Sequence, residues 1–145
     1  MSYLDNHLDS ITAPPSFGAV TPTATANLSS RLPFAPEWQA HIGASYDFHL
    51  PMNLTLTPRL DLSYTGSQFF DAGDSPEIAQ LDPVTVLNGS LTLGAAKWHL
   101  TLSGDNLTDE LYPVAGTSSQ STSSGYSEVI YARPRSFWAS LTVDF

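Results

Sequence analysis

The amino-acid sequence predicts an all-β fold, an antiparallel up-and-down meander of about five or six long strands. Apolar and polar residues alternate over runs of about ten positions, which gives an extended chain two chemically opposite faces. Of the 145 residues, 33 are Ser or Thr and Lys occurs once, while Thr, Tyr, Phe, Trp and Val outnumber the helix formers Glu, Lys, Gln and Met. Eleven prolines and nine glycines break the chain at short intervals.

In chain order, Ser2 to Ile11 places Leu4 and Leu8 on one side and is the least regular candidate strand. From Glu37 to Phe48, Trp38, Ala40, Ile42, Ala44, Tyr46 and Phe48 alternate with Glu37, Gln39, His41, Gly43, Ser45 and Asp47. Asn53 to Thr65 sets Leu54, Leu56, Pro58, Leu60, Leu62 and Tyr64 against Thr55, Thr57, Arg59, Asp61 and Ser63. Pro58 removes one ladder donor from that strand. Thr85 to Leu93 is weaker, with Leu87, Leu91 and Leu93 opposed to Asn88, Ser90 and Thr92. Lys97 to Asp105 carries Trp98, Leu100 and Leu102 on one face and His99, Thr101 and Ser103 on the other. The last strand, Phe137 to Phe145, places Phe137, Ala139, Leu141, Val143 and Phe145 together.

The connections alternate in length. Thr12 to Pro36, Gly66 to Pro83 and Asn106 to Pro134 are long and rich in turn residues, whereas His49–Met52 and Gly94–Ala96 are tight. The sequence predicts open loops for the long ones, and a mobile external loop for the low-complexity stretch Thr117 to Ser127. Long loops at one end and tight turns at the other are the pattern of a transmembrane β-barrel. The strand lengths agree, since a tilted membrane strand needs ~9–11 residues and a soluble one averages ~5–6. Rings close the apolar faces: Trp38, Tyr46, Phe48 and Tyr64 read as an aromatic girdle at the interfaces with headgroups. Five or six strands fall short of the roughly eight of the smallest closed barrel, so the chain is expected to be incomplete on its own.

Charge narrows the partners. Five basic residues against 14 acidic ones give a formal net charge of −9, which disfavours nucleic acid. The chain has no cysteine for disulfides or thiolate sites. No apolar run reaches the ~18 residues of a membrane helix, and the N-terminus shows no basic, then apolar, export signal.

Four segments, in order along the chain, resemble TonB-dependent outer-membrane receptors. Leu32-Pro33-Phe34-Ala35-Pro36 is similar to the family's L-x-x-A-P lead into a strand, followed by Gly43-Ala44-Ser45-Tyr46 and by Arg59-Leu60-Asp61-Leu62-Ser63-Tyr64. Asn106, Leu107, Asp109 and Tyr112 fit the N-L-x-D-x-x-Y segment at a strand exit. Arg133, Pro134 and Arg135, then Phe137, Leu141 and Phe145, resemble the family's P-R-x-F-x-x-x-L-x-x-x-F ending. The resemblance implies that residues 1–145 are the C-terminal part of a barrel of about 22 strands with a plugged lumen, without the plug domain. It further implies uptake, in the outer membrane of a Gram-negative cell, of a scarce ligand such as a ferric siderophore, cobalamin or a glycan. The energy-coupling protein TonB would act through the missing N-terminal part. Implied partners are outer-membrane lipid, the remainder of the barrel and plug, and the assembly machinery, for which Phe137, Leu141, Val143 and Phe145 form the recognition signal.

Other residues carry less. Asn106, Asp109 and Tyr112 are expected to shape the strand exit through side-chain to backbone bonds. His41 and His99 fall on polar strand faces, with His7 and His49 towards the tight-turn end, and none of these histidines has metal-binding spacing. Asp71, Asp74 and Glu77 read as a solvated acidic loop rather than a calcium loop. The sequons at Asn27, Asn53, Asn88 and Asn106 follow from Ser/Thr richness. No nucleophile elbow or phosphate loop is present; Ser103, His99 and Asp105 are the only hydrolase-like set, and neither an enzyme nor a cofactor is expected. The alternatives are a small self-associating outer-membrane β-barrel protein and a soluble β-sandwich binding module.

Overall fold

The computed structural model describes residues 1–5, 10, 31–71, 73–120 and 125–145. Its strands are β1 (Ser2–Tyr3), β2 (Trp38–Ser45), β3 (Phe48–Leu50), β4 (Leu54–Thr65), β5 (Val84–Ala95), β6 (Trp98–Asp105), β7 (Pro113–Ser118), β8 (Ser127–Tyr131) and β9 (Ser136–Val143). One sheet runs in the order β1-β2-β4-β5-β6-β9, with β3 also beside β4. All of its pairings are antiparallel. The alternation therefore yields the meander it predicts. The sheet is open, with β1 and β9 at its edges.

The run from Glu37 to Phe48 emerges as two strands on one unbroken register. Ser45 faces Arg59 and Phe48 faces Leu56, so Tyr46 and Asp47 stand opposite Pro58 and Thr57 without a shift. The interruption has a local cause. Tyr46 N donates to the Pro58 carbonyl at 3.2 Å, and the proline ring has no N–H to return. The Thr57 hydroxyl donates to Asp47 Oδ1 at 2.6 Å and holds the gap together.

The tight turns are shorter than expected. Leu50 pairs with Leu54 across Pro51–Asn53, where Met52 and Asn53 take positive φ of 67° and 56°. Asn53 belongs to this turn rather than to β4; its short polar side chain tolerates the left-handed region. Ala95 pairs with Trp98 across Ala96 and Lys97. At the N-terminus Ser2 and Tyr3 pair with Gln39 and Trp38, and Leu4 N donates to Glu37 O at 2.9 Å. Of the rest of the expected first strand, Leu4, Asp5 and Ser10 are not strand, and residues 6–9 and 11, with His7 and Leu8, lie outside the described residues, as does Asn27.

Two long connections correct the expectation of open loops. Gly66 to Pro83 is held by a bridge between Gln68 and Gln80. The Gln80 amide, only 3% exposed, donates to the carbonyls of Thr65, Gly66 and Asp82 and accepts from Gln68 Nε2. Thr117 and Ser118 lie in β7 and Ser127 in β8, a hairpin packed against the short turn Pro76–Ile78. Thr117, Ser118 and Ser127 are thus strand residues rather than the loop their composition suggests; 121–124 lie outside the described residues. Among the described residues, the buried apolar side chains Phe70, Ile78 and Val84 belong to this loop end rather than to the middle of the sheet.

Gly116 lets the hairpin and the turn meet: a Cβ there would stand 2.5 Å from Ile78 Cβ and 3.1 Å from Ile78 O. Gly116→Ala is therefore expected to destabilise the loop assembly by ~1–3 kcal/mol. Amide exchange of residues 66–83 should accelerate while the β4–β5 amides keep their protection; uniform acceleration along the chain would contradict this division.

Candidate functional site

The register gathers the apolar halves of all the long strands on one face. Phe48, Leu56, Leu93, Leu100 and Leu141 form one row across the sheet. Pro58, Leu91, Leu102 and Ala139 form the next, in line with Tyr46. Ile42, Leu62 and Leu87 form a third. Among the described residues no second sheet covers this face. Ile42 is 67% exposed, Leu141 65% and Leu60 54%. Each such side chain would gain ~1.5–3 kcal/mol from full burial, and apolar surfaces this continuous are characteristic of interaction sites.

The predicted girdle divides. Trp38 and Tyr64 stand at the long-loop end, and Trp38 meets Tyr3 with ring centroids 4.8 Å apart. Phe48 lies near the tight turns, edge-on to Tyr46 at 4.7 Å. Tyr46 itself is not at a strand end, because β3 carries the line on to Leu50. Phe137 is 70% exposed towards the long-loop end; Val143 and Phe145 are at the other.

A dimple of about 730 Å³ interrupts the apolar face. Gly89 and Gly104 face each other across β5 and β6. A Cβ on Gly89 would come within 3.2 Å of Leu107, and one on Gly104 within 2.6 Å of Leu107 and 2.9 Å of Phe137. Two missing side chains thus admit Leu107 from the strand exit, beside Leu60 and Phe137.

Asn106 builds that exit. It takes φ of 50° and is 5% exposed. Its Nδ2 donates to the carbonyls of Glu110 at 2.9 Å and Arg133 at 3.2 Å, and its Oδ1 accepts from Glu110 N at 3.0 Å. Its own N–H donates to Asn88 Oδ1 at 2.9 Å. Asp109, at φ 57°, accepts from Arg135 N at 3.0 Å and lies 3.5 Å from its guanidinium. Tyr112 contributes its backbone carbonyl, which accepts from Ala132 N at 2.9 Å. Residues 106–112 and 133–135, separate in the sequence, form one structure. Pro134, between the two arginines, is exposed.

The opposite face is polar. Arg59 Nε and Nη2 donate to the two carboxylate oxygens of Asp61 at 2.6 Å each, with His41 Nε2 3.5 Å from Asp61 Oδ1. Gly43 makes room for the pair: a Cβ there would stand 2.5 Å from Asp61 Oδ1. Thr92 and Thr101 share a 3.0 Å hydrogen bond. Val84 and Val86 are exceptions on this face. With Gln68, Gln80 and Tyr112 they line a cavity of about 160 Å³ where the loops fold over the sheet.

Other candidates separate. Ser103 and His99 are four residues apart on β6, about 13 Å at strand rise, and His99 lies 3.9 Å from Asp144 rather than near Ser103. Each loop carboxylate has its own partner. Asp71 accepts from Ser75, Asp74 from Arg31 N, and Glu77 from the Ser118 hydroxyl. Among the described residues no three His, Asp or Glu side chains converge as metal ligands. The Gly89–Gly104 pair and Gln80 escape sequence reasoning, because their roles depend on a partner strand or a distant carbonyl. No family model, curated protein or solved structure matches this chain.

Replacing Asn106 tests the exit. Asn106→Ala is expected to lower stability by ~2–3 kcal/mol through lost side-chain bonds and left-handed strain, read by denaturant unfolding in micelles. Asn106→Gly should recover the strain but not the bonds; full recovery of stability by Asn106→Gly would show that only the backbone angle matters.

Proposed function

We propose that the chain is the C-terminal wall of a TonB-dependent outer-membrane receptor, serving energy-coupled uptake of a scarce ligand such as a ferric siderophore, cobalamin or a glycan. One observation carries this: a continuous, uncovered apolar face aligned across every long strand, backed by a polar one. A soluble sandwich would lay a second layer on that face. Hydrocarbon covers it instead, as the outside of a membrane barrel requires. Unpaired backbone groups are not tolerated in hydrocarbon, so the open edges β1 and β9 pair with the rest of a larger barrel wall. The four segments similar to receptor sequences support the same assignment. Among the described residues no helix is long and apolar enough to cross a membrane; the crossing is made by strands.

The two edges also favour a second reading. The strand lines β1, β2, β4, β5, β6 and β9 alternate in direction, so β1 and β9 run oppositely. Copies arranged head to tail can therefore close antiparallel, as a self-associating barrel.

Purification decides between these. The receptor wall requires detergent, and the reading frame upstream encodes further barrel and a plug. A heat-modifiable oligomer of this chain alone favours self-association. A soluble monomer in plain buffer with a cooperative thermal transition overturns both.

Depth supplies a second test. Leu60→Arg is expected to cost ~2–4 kcal/mol of folding free energy in bilayers, and Thr57→Arg, on the polar face, much less. Equal costs would show that lipid does not touch the Leu60 face.

A further inference from the structure

We infer that the strand-exit corner is a binding site for a phosphate-bearing lipid, with one acyl chain in the dimple over Gly89 and Gly104 and the headgroup on Arg133 and Arg135. The inference rests on the apolar face meeting lipid, and adds a specific occupant to it.

Shape supplies the tail end. The Gly89–Gly104 pair leaves a hollow walled by Leu60, Leu107 and Phe137 on a face otherwise ridged with side chains. Its lining is almost wholly carbon, which suits an acyl chain and offers a polar ligand no partners.

Charge supplies the head end. The chain carries five basic residues against 14 acidic ones, yet two of the five flank Pro134 immediately before Phe137. Arg133 and Arg135 are both exposed. Arg133 makes no ion pair among the described residues, and Arg135 has only a long 3.5 Å contact with Asp109. A chain this acidic repels anions over most of its surface, so a cationic pair beside an apolar hollow selects an amphiphile with an anionic head.

The exit structure joins the two ends. Asn106 holds the Arg133 carbonyl and Asp109 holds the Arg135 N–H, while Leu107 between them reaches the hollow. The arginine backbone and the dimple wall are thus set by one four-residue turn. A phosphate displaces the weak Asp109 contact and accepts from both guanidinium groups.

The test uses the full chain in dodecyl maltoside micelles, with methyl and amide NMR signals of Leu107, Gly89 and Gly104 as reporters. Dioctanoyl phosphatidic acid is titrated against dioctanoylglycerol, which lacks the phosphate, and against inorganic phosphate, which lacks the chain. Phosphatidic acid is expected to shift all three reporters and to bind at least tenfold more tightly than either. Arg133→Gln and Arg135→Gln should each weaken it about fivefold without moving dioctanoylglycerol. Gly89→Ala should weaken both lipids; if that variant does not fold, the arginine variants carry the test alone. Equal affinity for the two lipids, inorganic phosphate matching phosphatidic acid, or unmoved reporters overturns the site. Detergent contacts on the Ile42 and Leu141 methyls report separately on the lipid-facing assignment: with them present, failure belongs to this site alone.

Discussion

β4 is paired along its length on both sides, with β2 and β3 on one flank and β5 on the other. Because side chains alternate with a period of two, a one-residue slip of either neighbour would send its leucines to the opposite face. The parity that β4 imposes passes through β5 to β6 and β9. Everything else follows from that constraint: the unbroken apolar surface, the polar reverse, and the meeting of Gly89 with Gly104. Pro58 shows how firmly the register holds. It removes a donor in the middle of the strand, yet Ser45–Arg59 and Phe48–Leu56 remain in phase.

The two faces obey different packing rules. On the apolar side large residues stand open, and close contacts include the ring pairs Tyr3–Trp38 and Tyr46–Phe48 and the packing of Leu107 by the glycine pair. On the polar side small residues leave room for the Arg59–Asp61 pair over Gly43. The buried positions lie at the long-loop end, where Gln80 and Asn106 satisfy backbone groups that turns leave without partners. Among the described residues the sheet thus has little interior of its own, and its two faces differ in chemistry.

The loop end explains what the pattern of β5 leaves ambiguous. Its alternation is weak because Val84 and Val86 fall on the otherwise polar face. There they sit under the connection containing Gln68 and Gln80. Composition likewise describes residues 117–127 as polar and repetitive, but Gly116 against Ile78 and Ser118 against Glu77 fasten the hairpin onto a neighbouring loop. Such contacts link residues some forty positions apart, beyond the reach of any local pattern.

The alternation by itself determined the all-β class, the long strands near Leu54–Thr65, Trp98–Asp105 and Ser136–Val143, their two faces and the ladder donor missing at Pro58, because these follow from a period of two and from the chemistry of single residues. It also marked Asn106 and Asp109, whose short side chains suit a left-handed turn. Only the tertiary structure decided which strands adjoin, that Tyr46 lies inside the apolar face rather than at its rim, that two of the long connections are packed, and that Leu107 walls a hollow over two glycines. Pairing brings those residues together across the chain, and the absence of a side chain acquires meaning only once its neighbour is known.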